Sequence, residues 1–233
     1  MSERKTIGIL GGMGPAATAD LFQKIVRCTK ASRDQEHPHV IIDSNTNIPD
    51  RTDALLHSGA SPVAELQKSA RRLVGAGAEI IAMPCNTAHG YYDEVCAAAG
   101  VPVLHMIRLT AASLAAMGIK CAGLLATDGT VQTGIYEKSF LGSGIRLITP
   151  DEAGQRAVMD LTYSGVKAGA LSYDTSEFMR AAERLLERGA ETLILGCTEL
   201  PPAFEMYGLE LPHVDPTEIL ARAAVSAAGY ETL

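Results

Sequence analysis

Two cysteines stand 112 positions apart in similar surroundings, Pro84-Cys85-Asn86-Thr87 and Gly196-Cys197-Thr198-Glu199. Each follows a short apolar run in a strand-to-helix turn, where the helix N-terminus is expected to lower the thiol's pKa and favour the thiolate. A thiolate and a thiol of similar acidity suit one task in particular. One takes a proton from one face of a carbon while the other delivers a proton to the opposite face, which is two-base racemisation or epimerisation. The carbon acid is weak, so the carbanion must be stabilised or short-lived. Backbone N–H groups at helix N-termini, with Asn86, Thr87 and Thr198, can hydrogen-bond an α-carboxylate as it gains enolate character.

The other side chains divide between chemistry and scaffold. Cys28, Cys96 and Cys121 lie in helix or strand patterns and are expected to pack as small apolar residues. Five cysteines, an odd number, argue against a disulfide framework. There is no CxxC pair and no His at ligand spacing from a Cys, so no metal is inferred. No Lys stands in a Schiff-base context, and no cofactor is inferred. Glu199 is placed either to polarise the Cys197 thiol or to complement a helix N-terminus. Arg51 has the planar fork that suits a carboxylate, although a loop Arg beside Asp50 commonly forms an exposed ion pair. His89 follows the first Cys motif and could tune it.

The loop Gly11-Gly12-Met13-Gly14 is not a dinucleotide fingerprint. Read from Gly12, Ala17 stands where the last Gly should be, and Asp34 lies in a polar run rather than at a strand end. The loop reads instead as a small-residue wall, including Met13, that lets backbone approach a substrate. Thr127 and Thr130 in the corresponding later loop could hydrogen-bond it.

These residues need a frame. Residues 6–10, 40–43, 79–83 and 101–104 read as strands, and 62–75 carries helical spacing. Strands alternating with helices define an α/β class with mainly parallel sheets. The second half repeats the first: Gly77-Ala78-Glu79 returns as Gly189-Ala190-Glu191, and Val101-Pro102-Val103-Leu104 as Leu211-Pro212-His213-Val214. Two pseudo-symmetric Rossmann-like domains are expected. Ligands of such sheets bind beyond the strand C-termini, so both cysteines should face one interdomain cleft.

Composition narrows the partners. The chain has 233 residues, is 47% hydrophobic and 20% charged, and carries a net charge of −7, an ordinary globular balance. Residues 1–116 hold 11 basic and 11 acidic side chains, and residues 117–233 hold 9 and 16. Without a basic cluster, nucleic acid is not expected as a partner. No apolar run approaches the roughly 18 residues of a membrane span. The N-terminal apolar run is short and Gly-broken, unlike a signal peptide, so a cytoplasmic location is expected.

Taken together, Gly8–Thr18, Asn47-Ile48-Pro49-Asp50-Arg51, Met83–His89 and Leu195–Leu200 resemble the aspartate/glutamate racemase superfamily. The likeness is greatest to the aspartate racemases that work without pyridoxal phosphate. It implies catalytic thiols at Cys85 and Cys197, and α-carboxylate ligands at Asn86, Thr87 and Thr198. It also implies side-chain carboxylate ligands at Arg51 and Lys167, a small amino-acid substrate and a homodimer. The implied domains are 1–105 with 216–233, carrying Cys85, and 106–215, carrying Cys197, because the last helix crosses back. Two other readings stand beside this one. One is a hydantoin or maleate isomerase, or a decarboxylase, of the same superfamily. The other is a non-catalytic ligand-binding α/β protein, which has no reason to keep a thiol in both repeats.

Overall fold

A computed structural model of the chain describes residues 4–233. The first half forms a parallel sheet from β1 (Ile7–Gly11), β2 (Val40–Ser44), β3 (Ile80–Ala82) and β4 (Val103–Leu104), ordered β2-β1-β3-β4. The second half forms another from β5 (Cys121–Leu125), β6 (Arg146–Ile148), β7 (Thr192–Leu195) and β8 (His213–Val214), ordered β6-β5-β7-β8. One strand order occurs twice. The strands β1, β3, β5 and β7 are buried throughout. That is why they read as unbroken apolar runs instead of alternating ones. The sequence reading left β6 unassigned. Its three residues, at a sheet edge, are too few to show a period.

The repeated triplet has a mechanical explanation. Gly77 and Gly189 adopt φ values of +104° and +96°, a region open to glycine and poorly open to other residues. Each lets the chain leave a helix and enter a central strand. Glu79 then accepts the backbone N–H of Thr6 at 2.9 Å, and Glu191 accepts that of Lys120 at 2.7 Å. Each carboxylate thus binds the lead-in to the first strand of its sheet. The prolines also correspond. Ile81 N–H donates to the Pro102 carbonyl at 2.8 Å, and Leu193 N–H to that of Pro212 at 2.9 Å. A proline accepts without needing to donate, so it is tolerated where each edge strand begins.

Two helices join the halves. In Met106–Ala116, Met106 packs with the first sheet's core, while Ile107, Ala111 and Leu114 pack with the second's. The last helix, Pro216–Ala227, follows β8 of the second sheet. It lays Leu220, Ala221, Ala224 and Val225 against Ile7, Ile9, Leu21 and Ile25 of the first. Asp215 caps its N-terminus through Thr217 N–H and also grips the buried Lys24 ammonium at 2.6 Å. Burial pulls the Lys24 pKa down, but Asp215 and Asp20 outweigh it and hold the cation charged. Among the described residues, no helix is long and apolar enough to cross a membrane.

Candidate active site

The chain emerging from β3 reaches Cys85, and that from β7 reaches Cys197. Both thiols line one small cavity between the two sheets. Met13, Arg51, Asn86, Thr87, Thr127, Lys167, Thr198 and Glu199 line it as well. Cys28, Cys96 and Cys121 lie elsewhere in the fold. Cys28 is buried against Glu218 Oε1 at 3.2 Å, and burial with that carboxylate pushes its thiol up to about 11.

The two cysteines of the cavity have unlike settings. Cys197 is buried and donates to Glu199 Oε2 at 3.1 Å. Burial first, and the Glu199 charge second, push its thiol well above the ordinary value. This corrects the expectation that a helix N-terminus would favour the thiolate at both positions. Only the eight-residue helix Leu200–Tyr207 follows Cys197, and desolvation outweighs it. Cys85 is followed by a single 3-10 segment, Thr87–Tyr91, with the α-helix delayed to Tyr92–Ala99. Arg51 interacts with it. Burial alone would lower the guanidinium pKa, but Cys85 and Asp50 outweigh that and raise it.

Arg51 is no surface ion pair. It opens the helix Arg51–Leu56 and is 8% exposed. Its Nη1 donates to the Ile48 and Pro49 carbonyls at 3.3 and 3.0 Å, and its Nη2 to that of Met13 at 3.2 Å. Nε is buried without a partner. A guanidinium has five donors. Three carbonyls therefore fix this one and leave two N–H groups, the buried Nε–H among them, without a carbonyl partner. Lys167 closes the cavity from the other half, on the π-helical segment Leu161–Lys167. Its ammonium lies 4.5 Å from the Tyr163 ring centre. Desolvation pulls it down, but Glu199 and Cys197 outweigh this and raise its pKa.

Asn86 and Thr87 are held in fixed poses. Asn86 Oδ1 accepts the Tyr136 hydroxyl at 2.7 Å, and its buried Nδ2 has no partner. Thr87 Oγ1 lies 2.9 Å from both Thr127 Oγ1 and Thr130 Oγ1. Thr130, expected among the substrate ligands, is fully buried and stands behind this wall. Thr127 Oγ1 and Thr130 Oγ1 are 3.2 Å apart, so the three hydroxyls close a triangle that can use all three hydrogens. A carboxylate at Thr87 or Thr127 would take a hydrogen from the longest of these contacts, the Thr127–Thr130 pair.

Glu199 is a bridge more than a ligand. Its Oε1 accepts Gly14 N–H at 3.2 Å across the cleft, and Oε2 serves Cys197. In the glycine loop, Met13 lines the cavity, and a Cβ on Gly12 would meet the Asn45 backbone at 2.4 Å, so this glycine admits a neighbouring loop. His89 Nε2 accepts Met106 N–H at 3.1 Å, which leaves Nδ1 to donate to the Cys85 carbonyl at 2.8 Å. Complete burial lowers its pKa to about 3, so it is a neutral strut behind Cys85. Among the described residues, no three His, Cys, Asp or Glu side chains cluster as a metal site requires.

The sequence reading missed Asp50, Thr52 and Tyr163, which also line the cavity. Tyr163 lies one helical turn before Lys167, and its hydroxyl donates to Asp50 Oδ2 at 3.4 Å across the cleft. Burial alone would raise the Asp50 carboxyl, but the Asp53 N–H and the Arg51 and Lys167 cations hold it below the usual value.

Fold and site together define a two-sheet, pseudo-symmetric α/β protein with a thiol pair in its cleft. The chain belongs to the Asp/Glu/hydantoin racemase family, whose sequence profile matches residues 10–224. It is 33% identical over 224 residues to the broad specificity amino-acid racemase RacX of Bacillus subtilis, covering 94% of this chain and 96% of that one. Among solved structures, it is similar to the aspartate racemase of Picrophilus torridus, with a TM-score of 0.84 and 33% identity over 98% of this chain and 96% of the other. An aspartate racemase homologue from Pyrococcus horikoshii gives a TM-score of 0.76 at 26% identity, over 96% and 99% of the two chains.

Proposed function

We propose that the chain is a cofactor-independent amino-acid racemase that interconverts L- and D-aspartate, and accepts glutamate, through Cys85 and Cys197. The observation that carries this reading is the pair of thiols from equivalent strands lining one cavity beside a buried cation with a free donor. Asn86, Thr87 and Thr198 take the α-carboxylate. Arg51 and Lys167 take the side-chain carboxylate, in keeping with two cations kept charged inside an acidic protein.

In one direction, the Cys85 thiolate takes the α-proton. The S–H bond forms, the Cα–H bond breaks, and the electron pair moves into the α-carboxylate. Cys197 S–H then gives its proton to the opposite face and becomes the thiolate. The return reaction runs from that state with the roles exchanged. Proton exchange with water resets the pair for another turnover in the same direction. Glu199 and burial favour the thiol at Cys197, which sets the resting arrangement.

A broader substrate range has its own support. A groove adjoins the cavity, lined by Pro15, Ala16, Ile48 and Val166 and sharing Arg51 and Lys167 with it. Side chains longer than that of aspartate have room there. Incubating the protein with L-aspartate in D₂O, without pyridoxal phosphate and with a chelator, tests the reading. Deuterium at Cα together with D-aspartate supports it. Activity that appears only with pyridoxal phosphate or an added metal contradicts it.

A further inference from the structure

Tyr136 has no place in the mechanism above, yet it is the largest of the wholly buried side chains. It stands on the helix Ile135–Ser139 and packs in the core of the second sheet, among Ile107, Ala122 and Leu124. Its hydroxyl reaches out of that core to Asn86, which follows β3 of the first sheet. The bond is 2.7 Å long and buried at both ends. Burial and the nearby Asp215 charge push the phenol well above its ordinary value, so the hydroxyl keeps its proton and donates.

An amide side chain has one accepting end and one donating end. With the Tyr136 hydroxyl donating to Oδ1, the accepting end of Asn86 is used, in a residue that lines the cavity. The donating end, Nδ2, is left buried and unpartnered. An unpaired buried donor costs free energy unless a ligand acceptor completes it. A substrate carboxylate is such an acceptor.

We propose that Tyr136 is a positioning residue for α-carboxylate recognition. It fixes the Asn86 amide with Nδ2 toward the substrate, and it does so from the opposite half of the molecule. The assignment rests on the racemase reading for the identity of the ligand. The orientation of Asn86 itself does not. Without the hydroxyl, Oδ1 loses its partner and the amide can turn its oxygen toward the anion.

The test is a double-mutant cycle with Tyr136→Phe and Asn86→Ala, measuring KM and kcat for aspartate and the thermal midpoint. Each single change is expected to raise KM about tenfold, the loss of one hydrogen bond to a charged group. The double variant should be no worse than Asn86→Ala alone, because Tyr136 acts through Asn86. A merely structural Tyr136 would lower the thermal midpoint and leave KM unchanged, or multiply the two KM effects. Either result overturns the assignment. If the wild-type chain turns over no amino acid, the racemase reading fails instead, and side-chain amide NMR decides this inference independently. The Asn86 Nδ2 signals, identified by their loss in Asn86→Ala, should shift and rotate faster in Tyr136→Phe. Unchanged signals would overturn it.

Discussion

The Cys197 thiol donates to Glu199 Oε2 at 3.1 Å, and the position equivalent to Glu199 after Cys85 is held by a hydroxyl, Thr87. The fold is duplicated, but the electrostatics around its two thiols are not. Glu199 adds negative charge beside one, and Arg51 adds positive charge beside the other. On the proposed two-base reading one proton is shared between the two thiols, and burial with the Glu199 charge favours Cys197 as its holder.

Glu199→Gln should therefore lower the titration midpoint of Cys197, since it removes a negative charge next to the thiol. The Gly14 contact survives, because the Gln oxygen still accepts. Turnover should fall about tenfold, less than for loss of a positioned acid or base itself. Ultraviolet thiolate absorbance against pH, in a Cys85→Ser background, reads the shift. An unmoved or raised midpoint would remove Glu199 from this role.

Arg51→Ala should raise KM for aspartate about 30- to 1,000-fold, corresponding to roughly 2–4 kcal/mol for a lost buried charged contact. Alanine, without a distal carboxylate, should lose far less. The ratio of kcat/KM for the two substrates is the measurement. Equal losses would move Arg51 from substrate selection to support of Cys85 alone.

His89 predicts acid sensitivity of the fold. Its pKa is depressed to about 3 when folded and lies near 6.5 when unfolded. Between those values the unfolded chain binds the extra proton. Its contribution to stability is therefore whole above about pH 6.5 and is lost as pH falls toward 3, by about 1.4 kcal/mol per pH unit. His105, lowered to about 4 by burial and Arg108, adds to the slope above that pH. Urea unfolding at pH 7 and pH 5 should show the loss, and His89→Gln should be less stable at pH 7 but less sensitive to pH. Equal pH slopes in the two proteins would contradict a buried neutral His89.

Gly77→Ala and Gly189→Ala should destabilise by similar amounts, about 1–2 kcal/mol each. A Cβ at Gly77 meets nothing within 4 Å, and one at Gly189 meets only Arg146 Nη2 at 3.8 Å. The cost is therefore backbone conformation alone. Urea unfolding of each variant measures it, and a neutral result at either position would argue against the shared turn.

The thiol pair was legible in the sequence because the repeat carries its own internal control. Two cysteines in one register, each after an apolar strand, are tied to one another without any structure. The same repeat made the two four-stranded sheets legible, except for β6, which is too short to show a pattern. The setting of Arg51 was not legible. Its carbonyl partners come from Met13, Ile48 and Pro49, and only folding brings Met13 to it. Tyr163 had a readable signal in its one-turn spacing from Lys167. Tyr136 had none, since its partner Asn86 lies 50 residues away in the other half. The expected thiolate bias at Cys197 failed because helix proximity can be read from sequence, whereas the depth of burial that outweighs it cannot.

The central claim is that each thiol serves one face of Cα, and α-proton exchange in D₂O tests it most directly. Cys85→Ala and Cys197→Ala should each lose racemisation by at least the roughly 10²–10⁴-fold typical of a positioned acid or base. Cys28→Ala, Cys96→Ala and Cys121→Ala should retain it. With L- and D-aspartate supplied separately and the Cα proton followed by NMR, the two inactive variants should behave oppositely. One should exchange the α-proton of the L-enantiomer and the other that of the D-enantiomer, each without inversion. Racemisation at near wild-type rate in either Cys85→Ala or Cys197→Ala would contradict the two-base account.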